Sequence, residues 1–390
     1  MDTQNTSLDV SSWNRSFWML SLSGLLLMMS AYVMVASMPP YLSWQGMDDA
    51  SVALVMGVYG LALFVPGCFC SYLVERYRRG RVCRVAMLGA AFSAALLYYL
   101  EFSCHVHVEL WMLVGARILQ GVCVSLAAMV LLSTLVVDVC SSFLRTASGH
   151  VAAWFVRFAL SLGPLSGLLV YGLLGYAYTL ALSAVLALVA WALVGTVSFP
   201  FKAPLDSVRV VSLDRFFLPQ GFPLFVNVLL VAATVGLMVS FPHTPVFWAM
   251  TGVGLLAALL AERFVFVNAE LKSEVISGLI LLFSSILIVL TSHQLLALSY
   301  VSPAMLGFAV GIIGRRFLLY YVKLAHHCQR GTSQSSFFLA WESGLTLGLV
   351  LGLAVVPRDY IMLTCLALVV VSFLLYHLLV HSWYMKHKSR

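Results

Sequence analysis

Ser71-Tyr72-Leu73-Val74-Glu75-Arg76-Tyr77-Arg78-Arg79-Gly80-Arg81-Val82-Cys83-Arg84 is the densest charge cluster in a chain that carries little charge. Five arginines and one carboxylate stand here between two long apolar runs. Short loops rich in Lys and Arg resist translocation, so this loop is expected in the cytoplasm, and that placement orients every other segment. A weaker copy follows: Leu73-Val74-Glu75-Arg76-Tyr77 returns as Leu260-Ala261-Glu262-Arg263-Phe264, 187 residues on. In a chain of 390 residues that spacing reads as two related halves.

Hydrophobic residues make up 62% of the chain and charged residues 9%, against about 25% charged in soluble domains. The composition is that of a polytopic membrane protein. In hydrocarbon every backbone N–H and C=O must be satisfied internally, so spans are helices or closed barrels. Runs of about 20 apolar residues without alternation point to helices. The expected fold is an all-α membrane protein of twelve transmembrane helices in two six-helix pseudo-repeats. The expected spans are 17–38, 52–74, 82–102, 109–137, 147–173 and 177–200, then 223–241, 245–266, 275–291, 295–323, 335–356 and 360–384. This gives an N-terminal bundle (1–200), a cytoplasmic linker (201–222) and a C-terminal bundle (223–390). The linker is charged and proline-rich, a candidate for a short amphipathic helix on the membrane.

The charges test that topology. Of 22 Lys and Arg, Arg117 and Arg157 fall within spans and Arg358 in an outer loop; the other nineteen fall on the proposed cytoplasmic side, in its loops, tails and helix ends. The outer loops carry Asp48, Asp49, Glu101, Glu109 and Asp359 instead. An even number of spans puts both termini in the cytoplasm. The net charge of +7 therefore serves topology and anionic headgroups, with the lipid bilayer and not nucleic acid as partner. Met1 to Ser16 is polar and Phe17 to Met38 too long for a signal-peptide core, so a retained first helix is expected. The eight cysteines are scattered, several within apolar runs, and read as packing residues, not as a disulfide framework or zinc site. The histidines, His377 and His381 included, lack the carboxylate that would complete a metal site, and no metal or other cofactor is expected.

The repeat recurs inside the spans. Ala153-Trp154 matches Ala340-Trp341 at the same offset of 187, and Arg145 has a near counterpart in Arg330. Three local patterns add to this. The first is the basic loop itself. The second is Arg117-Ile118-Leu119-Gln120-Gly121 in the fourth helix, where a permanent charge inside a span should face a polar cavity or a carboxylate. The third is Gly163-Pro164-Leu165-Ser166-Gly167 in the fifth, where small residues allow close helix packing and Pro164 is expected to kink the helix.

Together these resemble the major facilitator superfamily of secondary transporters over essentially the whole chain. The loop is similar to the family's G-x-L-A-D-R-x-G-R-[RK] pattern, with Ser71, Glu75 and Arg78 replacing Gly, Asp and Gly. The resemblance implies a cytoplasmic gate built on Glu75, Arg76, Arg79 and Arg81, with Asp138 and Arg145 flanking the next loop on that side and Glu262 and Arg263 at the repeat. It implies that Arg117, with Gln120, influences proton coupling. It gives Gly121, Gly163, Pro164 and Gly167 a packing role; the last three resemble the G-P-x-x-G-G stretch of the antiporter branch, with Leu168 in place of its last glycine.

Two more ionisable residues stand deep in spans: Arg157 in helix five and Glu342, near its repeat position, in helix eleven. They are expected to line a central cavity from opposite halves. Glu342 would take a proton or a cationic group, and Arg157 an anionic group or the balance of Glu342; an inter-half salt bridge is the alternative. Glu342 reads as the only carboxylate well inside a helix. The expected function is alternating-access, proton-coupled export of a small amphipathic molecule. Alternatives are an uptake permease or uniporter for a small metabolite, or a non-transporting sensor or scaffold. No H-E-x-x-H, nucleophile elbow or P-loop marks an enzyme or an ATP-driven pump. The expected setting is a bacterial inner membrane, with the protein a monomer.

Overall fold

The computed structural model describes residues 14–103, 109–141, 145–199, 208–266, 269–291, 296–326 and 329–387. The side chains of Ser103, Arg145, Thr146 and Leu296 are not among them. The early linker and the loop of His105 and His107 lie outside the described residues.

All regular structure in the described residues is helical. The helices are α1 (Arg15–Trp44), α2 (in two arms, Asp49–Ala62 and Gly67–Arg76), α3 (Arg79–Phe102), α4 (Leu110–Asp138), α5 (Arg145–Leu174) and α6 (Tyr176–Gly195). The second six are α7 (Phe222–Met238), α8 (Pro245–Phe264), α9 (Leu271–Thr291), α10 (Leu296–Leu324), α11 (Arg330–Val355) and α12 (Arg358–His387). Among the described residues eleven helices are long and apolar enough to cross a membrane, or twelve when the bent α2 counts as one span.

That bend corrects the expected unbroken span at 52–74. The two arms of α2 meet at 45° around Pro66. Proline has no N–H to give Ala62, and its ring crowds that carbonyl. The freed groups are satisfied locally: Val65 N–H reaches Ala62 O at 3.2 Å, and the Ser125 hydroxyl of α4 donates to Leu63 O at 2.6 Å. An unsatisfied carbonyl at this depth would be expensive, so the break requires its serine. By contrast, α5 runs through Pro164 as one helix. It turns into α6 at the single residue Gly175, whose φ of 98° favours glycine.

The helices pair alike in both halves. In the first, α1 packs on α5 and α6, α4 on α2 and α3, and α3 on α6. In the second, α7 packs on α11 and α12, α10 on α8 and α9, and α9 on α12. The halves meet through α2–α11 and α5–α8, with α4–α11 and α5–α10 beside them. Each pairing is the image of another under exchange of halves, so the sequence repeat is a structural pseudo-twofold. With lipid outside, close packing and interhelical hydrogen bonds hold such a bundle together. Ser183 of α6 donates to Ser30 O of α1 at 2.6 Å; across the second half Asn227 of α7 donates to Ser372 O of α12 at 2.9 Å. The glycine motif of α5 lies on α1: a Cβ on Gly163 would stand 2.7 Å from Tyr32 Cβ, and one on Gly167 2.6 Å from Val33 O. Gly121 admits α2 to α4 in the same way, its Cβ position 2.6 Å from Tyr59 O.

Candidate substrate pathway

Arg157 and Glu342 each lie twelve residues beyond the first residue of their helices, Arg145 and Arg330. At 1.5 Å per residue that is about 18 Å along the helix, near the middle of a hydrocarbon layer about 30 Å thick. The pseudo-twofold therefore brings them to one level from opposite halves. They line the same central cavity, with Tyr32 of α1, Gln334, Phe337, Phe338 and Trp341 of α11, and aliphatic side chains of α4, α5 and α10. About 40 Å³ there can take the centre of a water.

The two charges do not pair with each other. Arg157 is 8% exposed. Its guanidinium centre lies 4.7 Å from the ring centroid of Trp154, a cation–π contact, and Gly314 of α10 leaves room for its Nε. Its Nη1 has no hydrogen-bond partner. Glu342 is 1% exposed. The Tyr32 hydroxyl donates to its Oε1 across the interface between halves, while Oε2 has no partner. Neither the inter-half salt bridge nor the mutual balance anticipated for this pair is present. A buried polar group without a partner carries a desolvation penalty, and this cavity has two such groups on its lining.

The cavity has contacts between halves on both sides. Gly57 and Gly60 of α2 lie against Val350 and Thr346 of α11 on the side away from the linker. On the linker side Gly149 of α5 receives the amide of Gln334, and Gly331 of α11 sits on Ser133 O of α4. Beyond the first contact a vestibule with about 430 Å³ open to water centres lies between the ends of α1 and α2 and those of α7, α11 and α12. Asp49, His243 and Arg358 stand on its wall.

The described part of the linker forms no surface helix. It inserts between the halves on the linker side. Phe216 fills the space over Gly67 at the α2 break and meets Phe64 edge-on. Arg215, at a left-handed φ of 58°, has its N–H on the Thr332 hydroxyl at 2.8 Å and its guanidinium 3.7 Å from Glu75. Leu218 N–H reaches the Ser336 hydroxyl at 2.7 Å. One segment thus binds both α2 and α11.

The residues assigned to a gate separate into several contacts. Arg79 pairs with Asp138 at 2.6 Å, tying α3 to α4. Glu75 faces Arg215 of the linker. Glu262 pairs with Arg315 of α10 at 2.6 Å and accepts from the Trp154 indole of α5 at 3.0 Å. Arg76, Arg81 and Arg263 are exposed, Arg263 lying 5.9 Å from the Phe264 ring. The side chain of Arg145 is outside the described residues.

Arg117 departs from expectation. It does not line the cavity, and among the described residues no carboxylate pairs with it. It is buried inside the first half, where Nη1 donates to Gln120 Oε1 at 2.5 Å and touches Met34 Sδ, with the Tyr59 ring 4.8 Å from the guanidinium centre. Tyrosine face, sulfur and amide stand where a carboxylate was expected, and Nε keeps no partner.

Sequence reasoning missed two features. Glu342 is not the only buried carboxylate: α9 begins at Leu271, four residues before the expected start, which brings Glu274 into its first turn. There Glu274 forms a two-contact ion pair with Arg316 of α10. The Arg315-Arg316 pair inside an apolar run was a legible signal. Tyr32 as the partner of Glu342 was not legible, because a tyrosine in an apolar run looks like any packing residue.

Solved structures share this architecture. The structure resembles that of a point mutant of the nucleoside transporter NupG, with a TM-score of 0.67 at 14% identity over 93% of this chain and 99% of that one. It also resembles the POT family transporter PepTSo, with a TM-score of 0.71 at 12% identity over 96% and 99%. Identities this low speak for the fold alone. No match is found among curated proteins. The sequence model described as Major Facilitator Superfamily matches residues 20–349. With the pseudo-twofold bundle and the cavity at its centre, that match places the chain in the major facilitator superfamily of membrane transporters.

Proposed function

We propose that this protein is a proton-coupled, alternating-access transporter that exports a small amphipathic molecule, with Glu342 as the proton site. One observation carries the reading: a carboxylate fully buried between the halves, with one oxygen held by Tyr32 of the opposite half and the other unpartnered. Such a group changes its inter-half contact when it changes its proton. The ionised form accepts from Tyr32; the neutral form can donate, and it releases any cationic group held at Oε2. Proton and cation therefore exclude each other at one atom, which is the logic of exchange. The groups that face this carboxylate are Tyr32 of α1, Tyr59 of α2 and, across the cavity, Arg157 of α5. Rocking of the two halves about the cavity gives access to each side in turn. The linker side faces the cytoplasm of a bacterial inner membrane in this reading, with both termini there, which the basic loops support.

The test is reconstitution into liposomes with a pH-sensitive dye inside and an imposed pH gradient. Lipophilic cations, amphipathic anions and sugars are added singly to wild type and to Glu342→Gln. Ligand-triggered proton movement in wild type and none in the variant is expected. Undiminished proton movement in the variant moves the coupling site elsewhere. Exchange of a labelled ligand without proton movement makes the protein a uniporter or couples it to another ion.

A further inference from the structure

We infer that the substrate is a small zwitterion, its anionic end taken by Arg157 and its cationic end by Glu342, with an apolar body between them. This deepens the transport reading and rests on it for the use of the cavity. The cavity holds one cationic and one anionic side chain, each more than nine-tenths buried, on helices from opposite halves. Each keeps one polar atom without a partner, Nη1 of Arg157 and Oε2 of Glu342. The two do not form an ion pair, so a ligand with a single charge would satisfy one and leave the other orphaned. A neutral ligand would leave both. A zwitterion satisfies both and brings no net charge into the hydrocarbon layer.

The space between them sets the body. Phe337, Phe338 and Trp341 line it with aromatic surface, and the amide of Gln334 is the remaining polar side chain of α11. Because Arg157 and Glu342 do not bond each other, a ligand that reaches both holds its two charges apart, by a length that the binding series below reads. In this closed state about 40 Å³ of the cavity can take the centre of a water, room for about three waters, so the ligand is small and the halves part to admit it. Guanidinium takes a carboxylate through two parallel N–H donors, and an ammonium needs only one oxygen of Glu342, so Tyr32 can keep the other.

The experiment is binding to the purified full-length protein by titration calorimetry. The probes are 4-aminobutanoate, 6-aminohexanoate, 8-aminooctanoate and phenylalanine, each with its N-acetyl and carboxamide derivative. One zwitterion length should bind best, and loss of either charge should weaken it by about tenfold or more, the worth of a hydrogen bond to a charged partner. Arg157→Gln should make the best zwitterion and its carboxamide bind alike. Glu342→Gln should do the same for the zwitterion and its N-acetyl derivative. Arg157→Lys, which keeps the charge, should retain the preference. Equal binding of zwitterion and singly charged derivatives in wild type overturns the inference without any variant having to fold, as does a failure of all the zwitterions to bind. The dye-loaded liposomes separate the two readings. Zwitterion binding without proton movement refutes the coupling alone; proton movement driven by cations or neutral sugars but not by zwitterions refutes the substrate class alone.

Discussion

The buried ion pair between Glu274 and Arg316 gives a sharp energetic test. Both side chains are nearly inaccessible, at 2% and 7%, and they meet through two parallel contacts. Removing one ion from the interior of a protein and leaving its partner there costs about 3–5 kcal/mol, while replacing both by apolar residues of similar size is often nearly neutral. The structure offers its own apolar version. At the repeat offset of 187 the corresponding positions are Met87 and Met129, both fully buried. Glu274→Met and Arg316→Met are therefore each expected to destabilise by about 3 kcal/mol, and the double substitution by about 1 kcal/mol or less. The coupling energy is then about 5 kcal/mol, well above the ~0.6 kcal/mol average for hydrogen bonds between membrane helices. Equilibrium unfolding in mixed micelles, followed by tryptophan fluorescence, gives all four corners of the cycle. The pair should also be insensitive to added salt, since screening acts weakly on buried charges. Additive single effects, with coupling below about 0.5 kcal/mol, would show that the ions are solvated separately and would refute the reasoning.

Three further expectations follow from particular contacts. Phe216→Ala should loosen the linker from the α2 break and speed tryptic cleavage beside Arg215 several-fold in the folded protein; an unchanged rate would mean that the ring does not hold the segment. Gly167→Ala should lower stability by about 1–3 kcal/mol in the same unfolding assay, because its new methyl would stand 2.6 Å from Val33 O, a backbone atom that cannot step aside. Arg117→Met should leave ligand affinity within about twofold of wild type, as Arg117 does not reach the cavity, whereas a larger loss would place it in the pathway.

Much of the fold was legible because the bilayer narrows the choices. Backbone satisfaction leaves few alternatives to long helices, the loops between apolar runs count them, and the offset of 187 exposes the two halves. Where the reading failed, the deciding quantity was a distance between segments remote in sequence. The four-residue error at the start of α9 hid Glu274, since helix ends carry weak local signals. The break in α2 was announced by Pro66, but its stability depends on a serine of α4. For Arg117 the rule that a buried cation needs a carboxylate overlooked what a tyrosine face and a glutamine can supply together.

By itself the sequence determined the class of molecule, the number of spans, the repeat, and the two mid-span charges Arg157 and Glu342. These follow from composition and period, properties that each segment carries alone. Tertiary structure alone decided that the two charges share a cavity without pairing, that Tyr32 holds one oxygen of Glu342, and that the linker wedges between the halves. Those outcomes depend on how helices from opposite halves register against one another. That register is fixed by close packing over the whole interface, so no local stretch of sequence encodes it.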